Sequence, residues 1–236
     1  AYLNMLRQNK ALIRDAVCVE AGCGFGFMAE EMARLGAKHV YAVEVNPQLY
    51  RIAQKRLAPF ANVQVFQRDI RDFMPPEPVD VLVQEFFGQL LYDEDLYSLD
   101  SLRFEPLHFF PNKAKLKMSL LNSSYYVDNI ISADILLDLK GSLVSGLFDD
   151  EDIELERTIM QWSPGTSKNK AYVDLSDNNG DLVGFGLQIE HNDRIICQAG
   201  QCPNWSMVWT PRAGDRFELK FEQSKRGTQI YFQWLD

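Results

Sequence analysis

No stretch of the 236 residues approaches the roughly 18–20 consecutive apolar positions that a membrane helix needs. No charged and apolar leader of the secretory kind opens the chain. It begins at Ala1 instead of Met and is expected to continue upstream. Cysteine is limited to Cys18, Cys23, Cys197 and Cys202, with no CxxC pair and no histidine cluster beside them, which argues against a metal site. Such usage fits a reduced cytoplasmic or nuclear setting. Basic residues are outnumbered, 24 Lys and Arg against 33 Asp and Glu, for a net charge of −9. That balance argues against direct nucleic-acid binding through phosphates and favours basic partners. Internal repeats and low-complexity tracts are missing as well.

What remains is an ordinary globular composition, 46% hydrophobic and 24% charged, sufficient for one large domain or two small ones. The two halves read differently. Tyr2 to about Asp15 has helical spacing, with Leu3, Leu6, Ala11 and Leu12 in phase. Then "AVCVEAGCGFGF" reads as a strand running into glycines, and "MAEEMARLGA" as a helix stopped by Gly36. "HVYAVEV" is a second strand; "NPQLYRIAQKRL" is a helix with Asn46 as N-cap and Pro47 in its first turn. "VQVFQRD" and "VDVLVQE" are further strands. Strands alternating with helices predict a parallel sheet with crossover helices, an α/β fold. After about Pro111 the pattern becomes many short strands of alternating polarity with turns such as "DNNGD" and "KRGTQ", which predicts an antiparallel sandwich or barrel. The boundary falls at Phe110–Pro111.

The first strand ends in E-x-G-x-G-x-G: Glu20, Gly22, Gly24 and Gly26, with Cys23 inside the turn. Glycines at alternate positions let the backbone turn sharply and approach a ligand. The spacing differs from the dinucleotide G-x-G-x-x-G and suits an amino acid and a ribose better than a pyrophosphate. Glu44, followed by Val45, ends the second strand, where a carboxylate accepts ribose hydroxyls. Asp69, followed by Ile70, ends the third, placed to meet an adenine amino group. Glu85 ends the fourth. A single strand-end acid is ordinarily a cap or a solvated residue. Acids at four successive strand ends, with glycines at the first, point to a nucleoside-cofactor site.

These residues resemble the first motifs of class I S-adenosylmethionine-dependent methyltransferases. The stretch "VQEFFGQLLYDE" narrows the likeness: it is similar to the double-glutamate loop of protein arginine methyltransferases, with Glu85, Gly88 and Glu94 at the family spacing and Gln84 in place of the usual Ser. "FFPNKAKLKMSLL" resembles the family stretch that leads into its β-barrel, and "TPRAGDRFELKF" its late "GD" strand pair. The resemblance implies a Rossmann-like S-adenosylmethionine-binding domain over 1–110 and a substrate-binding β-barrel over 111–236. It implies methyl transfer to a guanidinium, Glu85 and Glu94 being catalytic and S-adenosylhomocysteine the product. The partner implied is an arginine-containing protein or peptide.

Three departures from the family stand out. Its barrel carries a Thr-His-Trp loop; in "CPNWSMVW" Trp205 matches the Trp, while Pro203 and Asn204 replace Thr and His. Asn204 and Trp205, with Gly88, are the expected substrate contacts. Trp205 has a second reading, as a core aromatic. The family's helical arm, which reaches a second subunit and makes a dimer, corresponds to a shortened 123–152. The family's cofactor-carboxylate Arg and aromatic lid helix lie upstream of Tyr2. Phe86 and Phe87 stand where the family has Trp and Met; a bulkier Phe87 narrows the pocket, or both simply pack. Two other functions keep parts of the pattern: a catalytically weak regulatory partner of an active arginine methyltransferase, and a methyltransferase of small guanidines.

Overall fold

The computed structural model describes residues 1–125, 132–146, 154–202, 205–224 and 227–235. They divide into two compact units. The first holds Ala1–Phe86, Tyr97–Asn112 and Glu190–Ile196; the second holds Phe87–Leu96, Lys113–Ile189 and Cys197–Asp236. The change of unit after Asn112 lies beside the expected boundary, but Phe87–Leu96 and Glu190–Ile196 each belong to the other unit than sequence position suggests.

In the first unit the short apolar runs become a five-stranded parallel sheet: β1 (Val17–Ala21), β2 (His39–Glu44), β3 (Val63–Gln67), β4 (Val81–Gln84) and β5 (His108–Phe110), in the order β3-β2-β1-β4-β5. β1 and β4 are buried at every position, as strands covered on both faces must be. Four helices accompany the sheet: α1 (Tyr2–Gln8), α2 (Lys10–Ile13), α3 (Phe27–Arg34) and α4 (Pro47–Leu57). Met5, Leu6 and Ile13 from the first two helices, Met32 from α3 and Leu57 from α4 share one core with Val40, Val81 and Val83 of the strands. Each buried side chain of this size contributes roughly 1.5–3 kcal/mol. Asn46 caps α4 as expected, its side-chain oxygen accepting from the N–H groups of Gln48 at 2.9 Å and Leu49 at 3.3 Å. The order of strands reverses direction between β1 and β4. In open α/β sheets that reversal leaves a crevice at the strands' carboxyl ends, where ligands bind.

The second unit is antiparallel. It contains β6 (Lys113–Leu121), α5 (Ala133–Asp138), β7 (Val144–Ser145), β8 (Arg157–Trp162), β9 (Lys170–Asp174), β12 (Val208–Pro211), β13 (Arg216–Ser224) and β14 (Gly227–Trp234), with β10 (Leu182–His191) up to Ile189 and β11 (Arg194–Gln198) from Cys197. One sheet runs β7-β12-β10-β6-β8 with β11 against β10; a second runs β14-β13-β9. Expected alternation holds in β13, where Phe217, Leu219 and Phe221 are buried in turn. It fails in β10, which is buried at every position, as a strand covered on both faces must be. Even its glycines are packed: a Cβ on Gly186 would stand 2.4 Å from Leu155 Cδ1. Cys197 and Cys202 are joined as a disulfide, where composition pointed to free thiols. They are five positions apart, and their Cα atoms stand at 6.0 Å, inside the usual range. Much of the shortened arm, 126–131 and 147–153, lies outside the described residues.

Candidate active site

The turn after β1 is built from three left-handed glycines: Gly22 (φ 65°), Gly24 (φ 52°) and Gly26 (φ 78°). Their needs differ. A Cβ on Gly22 would lie 2.4 Å from Phe86 Cε1, and one on Gly26 would lie 2.9 Å from Leu57 Cδ1. A Cβ on Gly24 would meet nothing within 4 Å. Gly22 and Gly26 are therefore required by packing, whereas Gly24 leaves open space above the turn. Cys23 is buried, and its N–H donates to Val43 O at 2.9 Å, tying the turn to β2.

Two buried glutamates hold this turn. Glu44, only 6% exposed, accepts from the Gly24 N–H at 2.8 Å through one oxygen and from the Asn46 N–H at 2.7 Å through the other. Each carboxylate oxygen has a second acceptor site, so capacity remains for vicinal hydroxyls. Glu20, 1% exposed, accepts from the Ala29 N–H at 2.7 Å and so anchors the first turn of α3. Burial pushes its carboxyl up to about 8, and the charges of Glu44 and Glu85 add to the rise. Glu85 follows β4 and is itself exposed; desolvation by the protein around it raises its carboxyl. Val45 is 61% exposed at the end of β2.

Asp69 takes a different part. It caps the short 3-10 turn Ile70–Asp72, accepting from the Arg71 N–H at 2.9 Å and from Arg71 Nε at 2.9 Å. The hydrogen bond from Arg71 holds its carboxyl below the usual range. Ile70 is buried at 5% exposure. The first unit thus gathers Glu20, Gly22, Cys23, Gly24, Gly26 and Glu44 around one turn, whereas Asp69 is already engaged by its neighbour.

Gly88, Glu94 and Trp205 belong to the second unit. Gly88 packs against a carboxylate: a Cβ there would stand 2.1 Å from Asp93 Oδ1. Asp93 accepts from the Leu90 N–H at 2.7 Å, and burial raises its carboxyl. Within the same loop the Leu91 N–H donates to Gly88 O at 2.9 Å, with Leu91 left-handed at φ 77°. Tyr92 is fully buried, its hydroxyl accepting from the Lys168 N–H at 3.0 Å. Thr228 Oγ1 donates to the carbonyl of Glu94 at 3.1 Å, leaving the side chain of Glu94 exposed. Phe87 is buried against Trp162 at 5.4 Å between ring centroids, so it packs. Trp205 is buried at 6% exposure, and Asn204 lies outside the described residues. Sequence reasoning missed Asp93; the acid beside Glu94 was the available signal. It also missed the work of Gln84, fully buried, whose Oε1 accepts from the Phe86 N–H at 2.8 Å and shapes the exit from β4.

A family model described as "Methyltransferase domain" matches residues 18–99. Protein arginine N-methyltransferase 2 of Dictyostelium discoideum is 30% identical over 188 residues, covering 75% of this chain and 34% of the relative. Protein arginine N-methyltransferase 1.1 of Arabidopsis thaliana is 33% identical over 139 residues, 55% of this chain and 35% of the relative. The chain therefore spans about a third of these curated relatives. Among solved structures, PRMT6-SAH superposes with a TM-score of 0.72 at 14% identity, covering 98% of this chain and 95% of the other. The Trypanosoma brucei PRMT1 enzyme-prozyme heterotetrameric complex with AdoHcy gives 0.67 at 15% identity, with 100% and 89% covered. At such identities the superpositions establish the fold.

Proposed function

We propose that this chain, a member of the protein arginine N-methyltransferase family, transfers a methyl group from S-adenosylmethionine to an arginine guanidinium in a protein or peptide. The observation that carries this reading is the turn after β1: three left-handed glycines, the middle one open, backed by Glu44 at a strand-order reversal. S-adenosylmethionine supplies an electrophilic methyl carried on a sulfonium. The chain's part is to bind and orient. Gly24 gives backbone access, and the acceptor sites left on Glu44 suit the two ribose hydroxyls.

The double-glutamate clamp is the finer part of the proposal and rests on chain spacing. Glu85 and Glu94 stand nine positions apart with Gly88 between them. A guanidinium is planar, with five N–H donors and a permanent charge. Two carboxylates holding it bidentately draw positive charge toward two nitrogens and free electron density on the third. They also fix the attacking nitrogen, an effect of position. One of them accepts the proton released as the N–C bond forms.

The test uses full-length protein, radiolabelled methyl donor, an arginine-rich peptide, its lysine counterpart and free arginine. Label is expected in the arginine peptide alone. Glu94→Gln is expected to lower turnover by about 10³-fold, with S-adenosylhomocysteine affinity held within about twofold. Near-normal turnover in that variant removes the clamp. The replacement of Thr-His by Pro203 and Asn204 favours one second reading, a weakly active regulatory partner. Failure to bind S-adenosylhomocysteine by calorimetry would select it.

A further inference from the structure

Glu94 belongs to a segment held at three consecutive positions by its own unit. Tyr92 is fully buried, with its ring centroid 5.7 Å from that of Phe221 in β13, and its hydroxyl accepts from the Lys168 N–H at 3.0 Å. Asp93 closes the turn before Glu94: its Oδ1 accepts from the Leu90 N–H at 2.7 Å, while the Leu91 N–H returns to Gly88 O at 2.9 Å. At Glu94 itself the tie comes from far along the chain. Thr228 Oγ1 donates to the Glu94 carbonyl at 3.1 Å across 134 positions of sequence. All of these residues lie in the second unit.

The backbone of Thr228 is used by the sheet, where it pairs with Gln223 of β13 near the start of β14. Its side-chain hydroxyl is what reaches the loop. A carbonyl has no proton to give, so the direction of the bond is fixed and Thr228 is the donor. Thr228 is half-buried and Glu94 is exposed. Water would serve both groups nearly as well, so the fold gains little by pairing them. What the bond fixes is position. The Glu94 peptide is the root from which its carboxylate extends, and Tyr92, Asp93 and Thr228 hold that root on both sides. The loop also keeps Leu91 left-handed at φ 77°. A non-glycine residue stays in that region only where its surroundings over-determine it, a feature that clusters at functional sites.

We propose that Thr228 is a positioning residue for Glu94: its hydroxyl sets the peptide from which the second carboxylate of the clamp reaches the guanidinium. The inference rests on the double-glutamate reading above and adds to it a residue of β14. Two carboxylates that grip one planar cation must both be placed accurately, and a displacement of about 1 Å costs up to about 10²-fold in rate. Thr228 touches no reacting atom and acts through Glu94 alone.

The test uses full-length protein, radiolabelled methyl donor and an arginine-rich peptide. Thr228→Val keeps the branched shape and removes the donor, whereas Thr228→Ser keeps the donor. Thr228→Val is expected to lower kcat about tenfold, with stoichiometry and affinity for S-adenosylhomocysteine unchanged by calorimetry. Thr228→Ser should recover kcat to within about twofold of the parent. Thr228→Ala removes the donor with a smaller side chain and should match Thr228→Val, which sets aside crowding by the valine. The same change is then made in Glu94→Gln. There Thr228→Val should lower the residual rate by less than about twofold, because the group it positions is gone. A merely structural loss would lower that rate about tenfold again. The proposal is overturned if kcat is unchanged in the valine and alanine variants, if serine fails to restore it, or if the loss is equal in both backgrounds. A parent that methylates no arginine would instead end the activity reading, and near-normal Glu94→Gln the clamp; either takes this inference with it. With an active parent and an impaired Glu94→Gln, the Thr228 variants judge the positioning role alone.

Discussion

The loop after β1 and the loop after β4 are organised alike and used differently. In each, a carboxylate accepts backbone N–H groups and sets the path of the chain: Glu20 receives the Ala29 N–H, and Asp93 receives the Leu90 N–H. Both carboxyls are raised by burial. Each loop also carries a motif glycine, and there the likeness ends. Gly24 faces open space, whereas Gly88 is pressed against Asp93. Glycines of equal standing in a motif thus serve opposite purposes, one admitting a ligand and one admitting a neighbouring side chain. Spacing identifies the loops; only the packing separates the two roles.

The largest expected effect tests the shared part of the comparison. Glu20 titrates near 8 in the fold, well above the ordinary value of 4.5. A raised carboxyl favours the protonated fold. Its stabilising contribution is full below about pH 4.5 and is lost as pH climbs through about 8. Glu20→Gln keeps an acceptor for the Ala29 N–H and removes the titration. Between pH 4.5 and 7 the variant should gain on the parent by on the order of 3 kcal/mol, read from melting temperatures across that range. Parallel pH profiles would show that the carboxyl is not perturbed.

How far all this was legible follows from where each signal is stored. The parallel unit is written locally: apolar runs, the Asn46–Pro47 helix start, and Gly36 after α3, left-handed at φ 90°. The glycine turn and Glu44 were legible for the same reason, since their partners lie within one strand and one turn. Burial of β10 on both faces was not, because it depends on side chains distant in sequence that pack over it, such as Leu155 against Gly186. Nor was the assignment of Glu190–Ile196 to the first unit, which depends on contacts such as His191 with Phe110, 4.3 Å between ring centroids and far apart in sequence. Asp69 stands at the end of the third strand as read, but its hydrogen bonds from the N–H and Nε of Arg71, two residues on, could not be read from its place in the chain.

A middle-sized effect is expected at Gly88. Its φ is ordinary, so the cost of Gly88→Ala is steric: the new Cβ would stand 2.1 Å from Asp93 Oδ1. Asp93 must then leave the Leu90 N–H, at a cost of about 1–3 kcal/mol for an unmet buried group. A double-mutant cycle isolates this. With Asp93→Gly already present, adding Gly88→Ala should cost almost nothing further. Additive losses would mean that Gly88 is needed for some reason other than room for Asp93.

The smallest effect on stability, at Gly24, separates the two loops most sharply. Gly24→Ala meets no neighbour, and the left-handed backbone at φ 52° costs about 1 kcal/mol. If Gly24 is open in order to admit a cofactor, the same methyl group fills the space a ligand would use. S-adenosylhomocysteine affinity should then fall at least tenfold, about 1.4 kcal/mol, while the melting temperature moves little. Gly88→Ala should show the reverse balance, a larger loss of stability with cofactor affinity nearly unchanged. Equal affinity losses in the two variants would erase the distinction between a glycine that admits a ligand and one that admits a side chain. Unchanged affinity in Gly24→Ala would move the cofactor away from the turn after β1, and with it the observation on which the proposed activity rests.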